Sequence, residues 1–174
     1  MPIPFGWPIP CDCSSTSGGV FGGSNSNGNI RGYINLNVNE QPCVETGATQ
    51  CVLKFKEVYG GGYGTSAVMV GSPIVNINQI PGIHAAQIDA NGDGQPDGNA
   101  NLLGTIGTVF GGGNAAKVVG GTIVNIGTVA TAKHVSGSDK TTEYNAGANI
   151  TGNVYGGGNQ ADVTGKTNVT VGRQ

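Results

Sequence analysis

The sequence predicts an all-β fold: a β-solenoid (parallel β-helix) with glycine corners and inserted loops, with a β-sandwich as the alternative. Three observations predict it. A strand–glycine corner–strand unit recurs four times along the chain. Glycine supplies 33 of 174 residues, well above the roughly 7% of an ordinary soluble domain. Apolar residues alternate with polar ones after each corner, which is the period of a strand with one buried face.

The four copies read 20-VFGGSNSNGNIRGYINLNV-38, 58-VYGGGYGTSAVMVGSPIVNI-77, 109-VFGGGNAAKVVGGTIVNIG-127 and 154-VYGGGNQADVTGKTNVTVG-172. Successive starts, near 20, 58, 109 and 154, are 38, 51 and 45 residues apart. This is the repeat range of solenoids and propellers, with loops of unequal length inserted into a common unit. Each copy opens on a valine and an aromatic. A glycine corner follows: Gly60, Gly61 and Gly62; Gly111, Gly112 and Gly113; Gly156, Gly157 and Gly158; and Gly-Gly-Ser in the first copy. The alternating run comes last, with Ile30, Ile34, Leu36 and Val38 on one parity in the first copy and Val163, Thr167, Val169 and Val171 in the last. Gly120 and Gly165 fall at one phase of this run, and Gly32 at its equivalent. A glycine there marks a bend or a close backbone approach.

Between the copies, 51–59, 102–110 and 148–155 are further strand candidates, and 80–90 allows a single helical turn. No segment carries a helical apolar stripe over three turns. One repeat cannot cover its own apolar face, so neighbours must stack to bury it. Asn25, Asn114 and Asn159 follow the corner in three copies and can bond to one another in a ladder, whereas the second copy has Tyr63 there. A propeller of four blades is numerically acceptable, but the tryptophan–aspartate blade ending is absent.

The chain divides into an N-terminal arm with prolines and cysteines, 1–19, and a repeat domain, 20–174, carrying an acidic insertion at 79–101. Cys11, Cys13, Cys43 and Cys51 are an even, local set and are disulfide candidates, which points to an oxidising compartment. Free thiols are the alternative, and C-x-C fits a zinc site poorly. The opening MPIPFGWPIP lacks the basic and long apolar regions of a signal peptide. A processed leader, or a start within a longer gene product, reconciles this with disulfides. No apolar stretch is long enough for a membrane helix.

The strongest chemical signal is 89-DANGDGQPD-97, where Asp89, Asn91, Asp93, Gln95 and Asp97 place oxygen at alternate positions. Calcium takes six to eight such oxygens from a flexible loop. The stretch resembles the calcium loops of EF-hand, dockerin and thrombospondin type 3 families. It departs from the EF-hand at Pro96 and at Ala100, where a bidentate glutamate belongs. Glu143 or water would complete the shell, and the ion's role would be structural. A plain acidic turn is the alternative.

Other chemistries find less. With eight lysines and arginines and a net charge of -2, no basic track for nucleic acid exists. The glycine triplets open neither a GxxxxGK[ST] nor a GxGxxG followed by a helix. His84 and His134 have no neighbours at metal-binding spacing, and no pair of carboxylates recurs among the repeats. No catalytic residue is assigned, and the expectation is a non-enzymatic protein. Parallel β-helices host polysaccharide lyases and hydrolases, an analogy of fold that names no residue. Ice binding would need a repeated T-x-T array, which the many threonines do not form.

The V-[YF]-G-G-G-N-x-A-x-V-x-G unit is similar to glycine- and asparagine-rich repeats of very large bacterial surface or secreted proteins. The resemblance covers parts of 20–77 and 105–172. It implies an extracellular or cell-surface location and a structural or adhesive role. The expected function is a structural subunit or module of an extracellular filament, sheath or adhesin stalk, assembling by stacking of β rungs. Its partners would be itself, in a head-to-tail homopolymer, or further repeats of a longer chain. Recognition of a glycan or cell surface by the inserted loops is the second reading. The last repeat is the most regular, and an atypical polar cap is expected where a solenoid ends, so a further rung is expected to stack there.

Overall fold

In the computed structural model of the protein, the described residues are 17–40, 42–43, 51–52, 54–79, 105–128, 130–134, 141–145 and 148–172. The first repeat contains β1 (Ser17–Phe21), β2 (Ile30–Arg31) and β3 (Ile34–Glu40), followed by β4 (Pro42–Cys43) and β5 (Cys51–Val52). The second contains β6 (Lys54–Tyr59), β7 (Met69–Val70) and β8 (Pro73–Gln79). The third contains β9 (Thr105–Phe110), β10 (Val118–Val119) and β11 (Thr122–Ile126), followed by β12 (Ala130–His134) and β13 (Thr141–Asn145). The fourth contains β14 (Val154–Tyr155) and β15 (Thr167–Val171).

Three parallel sheets result. The first has the order β1-β6-β9-β14, the second β2-β7-β10 and the third β3-β8-β11-β15. In the fourth repeat Val163 extends the second sheet by a single bridge to Val118. Every sheet therefore lists the repeats in chain order, and each repeat visits the three sheets in turn. The register matches like with like: Val20, Val58, Val109 and Val154 are Cα partners in sequence, as are Leu36, Val75, Val124 and Val169. This all-β, repetitive parallel architecture is consistent with a solenoid-type fold.

Glycine divides the alternating run between two sheets. β2, β7 and β10 each end just before Gly32, Gly71 and Gly120, whose φ values are +118, +146 and +150. An L side chain rarely adopts that backbone. At Gly71 a Cβ would collide with the carbonyl oxygen of Gly32, and at Gly120 with that of Gly71. At Gly71 and Gly120 the bend thus needs glycine both for its dihedral and for the close approach of the preceding repeat, whereas at Gly32 nothing lies within 4 Å of a Cβ.

Of the candidate strands 51–59 and 102–110, residues 54–59 and 105–110 form β6 and β9 of the repeats, while 51–52 form β5 beside β4. β6 and β9 run through the aromatic, so the unit begins upstream of the aligned valine. In the fourth repeat's part of the first sheet, Val154 and Tyr155 form the strand among the described residues, and Ile150 makes one bridge to Ile106. The helical turn considered at 80–90 lies outside the described residues.

The core is a narrow column between the first and third sheets. Val58, Ile106 and Val109 pack with Val38, Val75, Ile77, Val124 and Ile126. Full burial of such a side chain stabilises by roughly 1.5–3 kcal/mol. The first repeat contributes the buried Val38 to this column, and the fourth leaves its own apolar side chains more exposed. In the fourth repeat Val171 is 72% exposed, whereas its register partners Ile126 and Ile77 are 6% and 0%.

The insertions share one corner. They leave from the ends of β3, β8 and β11, which are neighbours in the third sheet, and return to β6, β9 and β14, which are neighbours in the first. Their bases therefore form a row. Two of them carry antiparallel pairs, β4 with β5 and β12 with β13.

Candidate functional site

The residues the repeat holds constant meet at the junction between one repeat and the next. The triplet glycines line up. Gly23 N–H donates to Gly61 O at 3.0 Å, Gly61 N–H to Gly112 O at 3.0 Å and Gly112 N–H to Gly157 O at 2.9 Å. One residue earlier, Gly22, Gly60 and Gly111 donate to the carbonyls of Tyr59, Phe110 and Tyr155 at 2.9, 2.9 and 2.8 Å. Donation then reverses: Tyr63, Asn114 and Asn159 N–H bond back to Ser24, Gly62 and Gly113 O at 3.0, 2.9 and 3.0 Å. The corner glycines permit this approach, because a Cβ at Gly61 would lie 2.8 Å from Gly113 N. Thr122 locks the same corner from the third sheet, its hydroxyl donating to Gly156 O.

Two side-chain columns run across these junctions. Phe21, Tyr59, Phe110 and Tyr155 stack with ring centroids 4.8, 4.8 and 5.1 Å apart. Aromatic pairs gain about 0.5–1.5 kcal/mol beyond their buried area. Tyr59 is buried within the stack. That burial, then the charge and hydrogen bond of Glu57, pushes its phenol up to about 12, against an opposing contact with Asn159. The asparagines after the corner meet in the third and fourth repeats, where Asn159 Nδ2 donates to Asn114 Oδ1 at 2.9 Å. In the second repeat Tyr63 takes that place and packs edge-on to Phe21, centroids 5.1 Å apart. Asn25 is exposed.

A second asparagine ladder went unread in the sequence. Asn76 Nδ2 donates to Asn35 Oδ1 at 2.8 Å and to Asn37 Oδ1 at 2.9 Å, and Asn125 Nδ2 donates to Asn76 Oδ1 at 2.8 Å. Asn37, Asn76 and Asn125 are register partners, with Thr170 next in line. The available signal was asparagine recurring on the polar phase of INLNVN, IVNIN and TIVNI.

Asp89, Asn91, Asp93, Gln95 and Asp97, with Cys11 and Cys13, lie outside the described residues. Cys43 and Cys51 are directly opposed Cα partners of β4 and β5; no disulfide is seen among the described residues. Among the described residues no group of three or more His, Cys, Asp or Glu side chains could hold a metal ion, and no helix is long and apolar enough to cross a membrane. Among known families, curated proteins and solved structures, none matches the chain.

Proposed function

We propose that the chain is a β-solenoid whose function is structural: a subunit or module of an extracellular filament, sheath or adhesin stalk that assembles by stacking of β rungs. The observation that carries this reading is the junction. Backbone bonds, an aromatic stack and asparagine ladders repeat along the direction in which the sheets grow, and they engage residues that an active site would leave free. The order of the repeats in all three sheets favours a solenoid over a sandwich, in which sequential units would not recur in one order on every sheet. Further rungs, from another copy or from more repeats of the same chain, are the natural partners of such an edge.

Electron microscopy and X-ray scattering of the purified protein test the role. Unbranched fibres with a repeat of about 4.8 Å along the axis are expected, the spacing of neighbouring strands. A monodisperse monomer with saturable binding to a polysaccharide panel would replace it with recognition. That second reading rests on the row of insertion bases at one corner, since insertions on one face of a repeat protein commonly form its binding surface. A structural calcium ion on Asp89, Asn91, Asp93, Gln95 and Asp97 would stiffen the insertion at 79–101. Ligation of the folded state alone raises stability by about 2.7 kcal/mol at a hundred times the dissociation constant. An unchanged melting temperature at saturating calcium removes that ion from the proposal.

A further inference from the structure

In the first repeat the chain passes from the glycine corner to β2 through 24-SNSNGN-29. Counted back from the second-sheet register, Gly28 stands where the later repeats have Ala67, Ala116 and Ala161. Ala67 and Ala116 are 2% and 0% exposed, whereas Gly28 is exposed. Its φ of +111 is one that an L side chain rarely adopts, so this turn itself calls for glycine. The residue before it, Asn27, is also exposed, and its carboxamide has no hydrogen-bond partner among the described residues. No other described asparagine precedes a glycine.

We infer that Asn27-Gly28 is a site of spontaneous covalent modification: deamidation through a cyclic imide, with water as the co-reactant. The backbone nitrogen of Gly28 attacks Cγ of Asn27 and gives up its proton. The new N–Cγ bond forms, the Cγ–Nδ2 bond breaks, and the side-chain nitrogen leaves as ammonia. Water then opens the imide at either carbonyl. Opening at Cγ restores the ordinary backbone as aspartate. Opening at the main-chain carbonyl leaves the chain running through Cγ, an isoaspartate with one more carbon in the backbone.

The fold selects this asparagine over the others. Asn35, Asn76 and Asn125 hold their amides in the ladder between strands. The residues that follow them are Leu36, Ile77 and Ile126, whose side chains crowd the attacking nitrogen. Asn25 and Asn29 are exposed like Asn27, but serine and isoleucine follow them. The consequence falls on the junction of the first two repeats, because Asn27 forms a bridge to Ser66 and Ile30 N–H donates to Val68 O at 3.1 Å. Both products place a carboxylate at that bridge. Isoaspartate also lengthens the chain there and pulls the bridge out of register with the bond that follows it.

The full chain is incubated at neutral and mildly alkaline pH, folded and in urea. Peptide mapping follows each asparagine, with fragmentation that separates isoaspartate from aspartate. In the folded protein Asn27 is expected to react roughly tenfold or more faster than Asn25 and Asn29, because only its successor lacks a Cβ. Asn76 and Asn125 are expected to stay intact. Asn27→Gln, which keeps Gly28 and its turn, is expected to show no product at this position. Freshly prepared Asn27→Asp carries the charge alone and is expected to melt as unaged wild type does, whereas aged wild type melts lower. An Asn27 that stays intact when folded, under conditions in which it reacts in urea, overturns the assignment. So does reaction of Asn76 or Asn125 at the rate of Asn27. Aged wild type that melts together with Asn27→Asp overturns the effect on the junction.

Discussion

Asn125 donates its side-chain amide to Oδ1 of Asn76 at 2.8 Å, although the two residues are 49 positions apart. Asn76 passes the interaction on to both Asn35 and Asn37. Asparagine suits this position because one amide both donates and accepts, so identical side chains stacked in register satisfy one another.

Asn76→Ala removes all three of those bonds and Asn125→Ala only one. At about 0.5–1.5 kcal/mol net for each bond, less where water replaces it, the expected losses are about 1–3 and about 0.5–1.5 kcal/mol. Urea unfolding of the two variants beside wild type measures them. Equal losses would show that the ladder does not act through Asn76.

Gly71 and Gly32 form a second test, of steric contact against dihedral strain. Both have positive φ, but a Cβ at Gly71 strikes the Gly32 carbonyl, whereas at Gly32 nothing lies within 4 Å. Gly32→Ala is expected to cost on the order of 1–3 kcal/mol, the usual range for a disfavoured backbone region. Gly71→Ala adds separation of two repeats and is expected to cost more, with a clearly lower melting temperature. A reversed order would mean that the repeats are not in close contact at this bend.

The repeat was legible because the valine–aromatic pair and the two glycines after it recur at one spacing in all four copies, and the apolar alternation that follows is a local strand period. The role of Gly71 was not, because its partner Gly32 is 39 positions away and the loops between them differ in length. The Asn35–Asn76–Asn125 ladder escaped for another reason. Alternation identifies which phase faces the core, and the other phase reads as solvent face until the register puts like residues side by side. The pair β4–β5, two residues a side, is too short to give a period at all. The 89–97 stretch was read from the alternate spacing of its oxygen-bearing side chains and lies outside the described residues.

Cys43 and Cys51 offer a covalent prediction. Directly opposed residues of an antiparallel pair have Cα atoms about 4.5–5.5 Å apart, inside the roughly 4.4–6.8 Å that a disulfide spans. β4 and β5 oppose these two cysteines. Protein refolded under oxidising conditions is expected to yield a linked Cys43–Cys51 peptide on non-reducing digestion and mass spectrometry. Finding both in crosslinks to Cys11 or Cys13 would show that the β4–β5 register is not the oxidised one.

Tyr59 sets the alkaline limit of the stack. Its phenol is raised to about 12 in the folded chain by burial first and by Glu57 second, against about 10 unfolded. The folded state therefore holds the proton over a range in which the unfolded state has released it. Stability from this residue is intact below pH 10 and is lost as pH rises from there through 12, because the unfolded state binds fewer protons in that interval. Thermal melts between pH 9 and 12 are expected to fall more steeply for wild type than for Tyr59→Phe, which keeps the ring between Phe21 and Phe110 but has no proton to lose. Glu57→Gln removes the second cause and is expected to give an intermediate slope. Parallel curves for wild type and Tyr59→Phe would place the alkaline transition elsewhere in the chain.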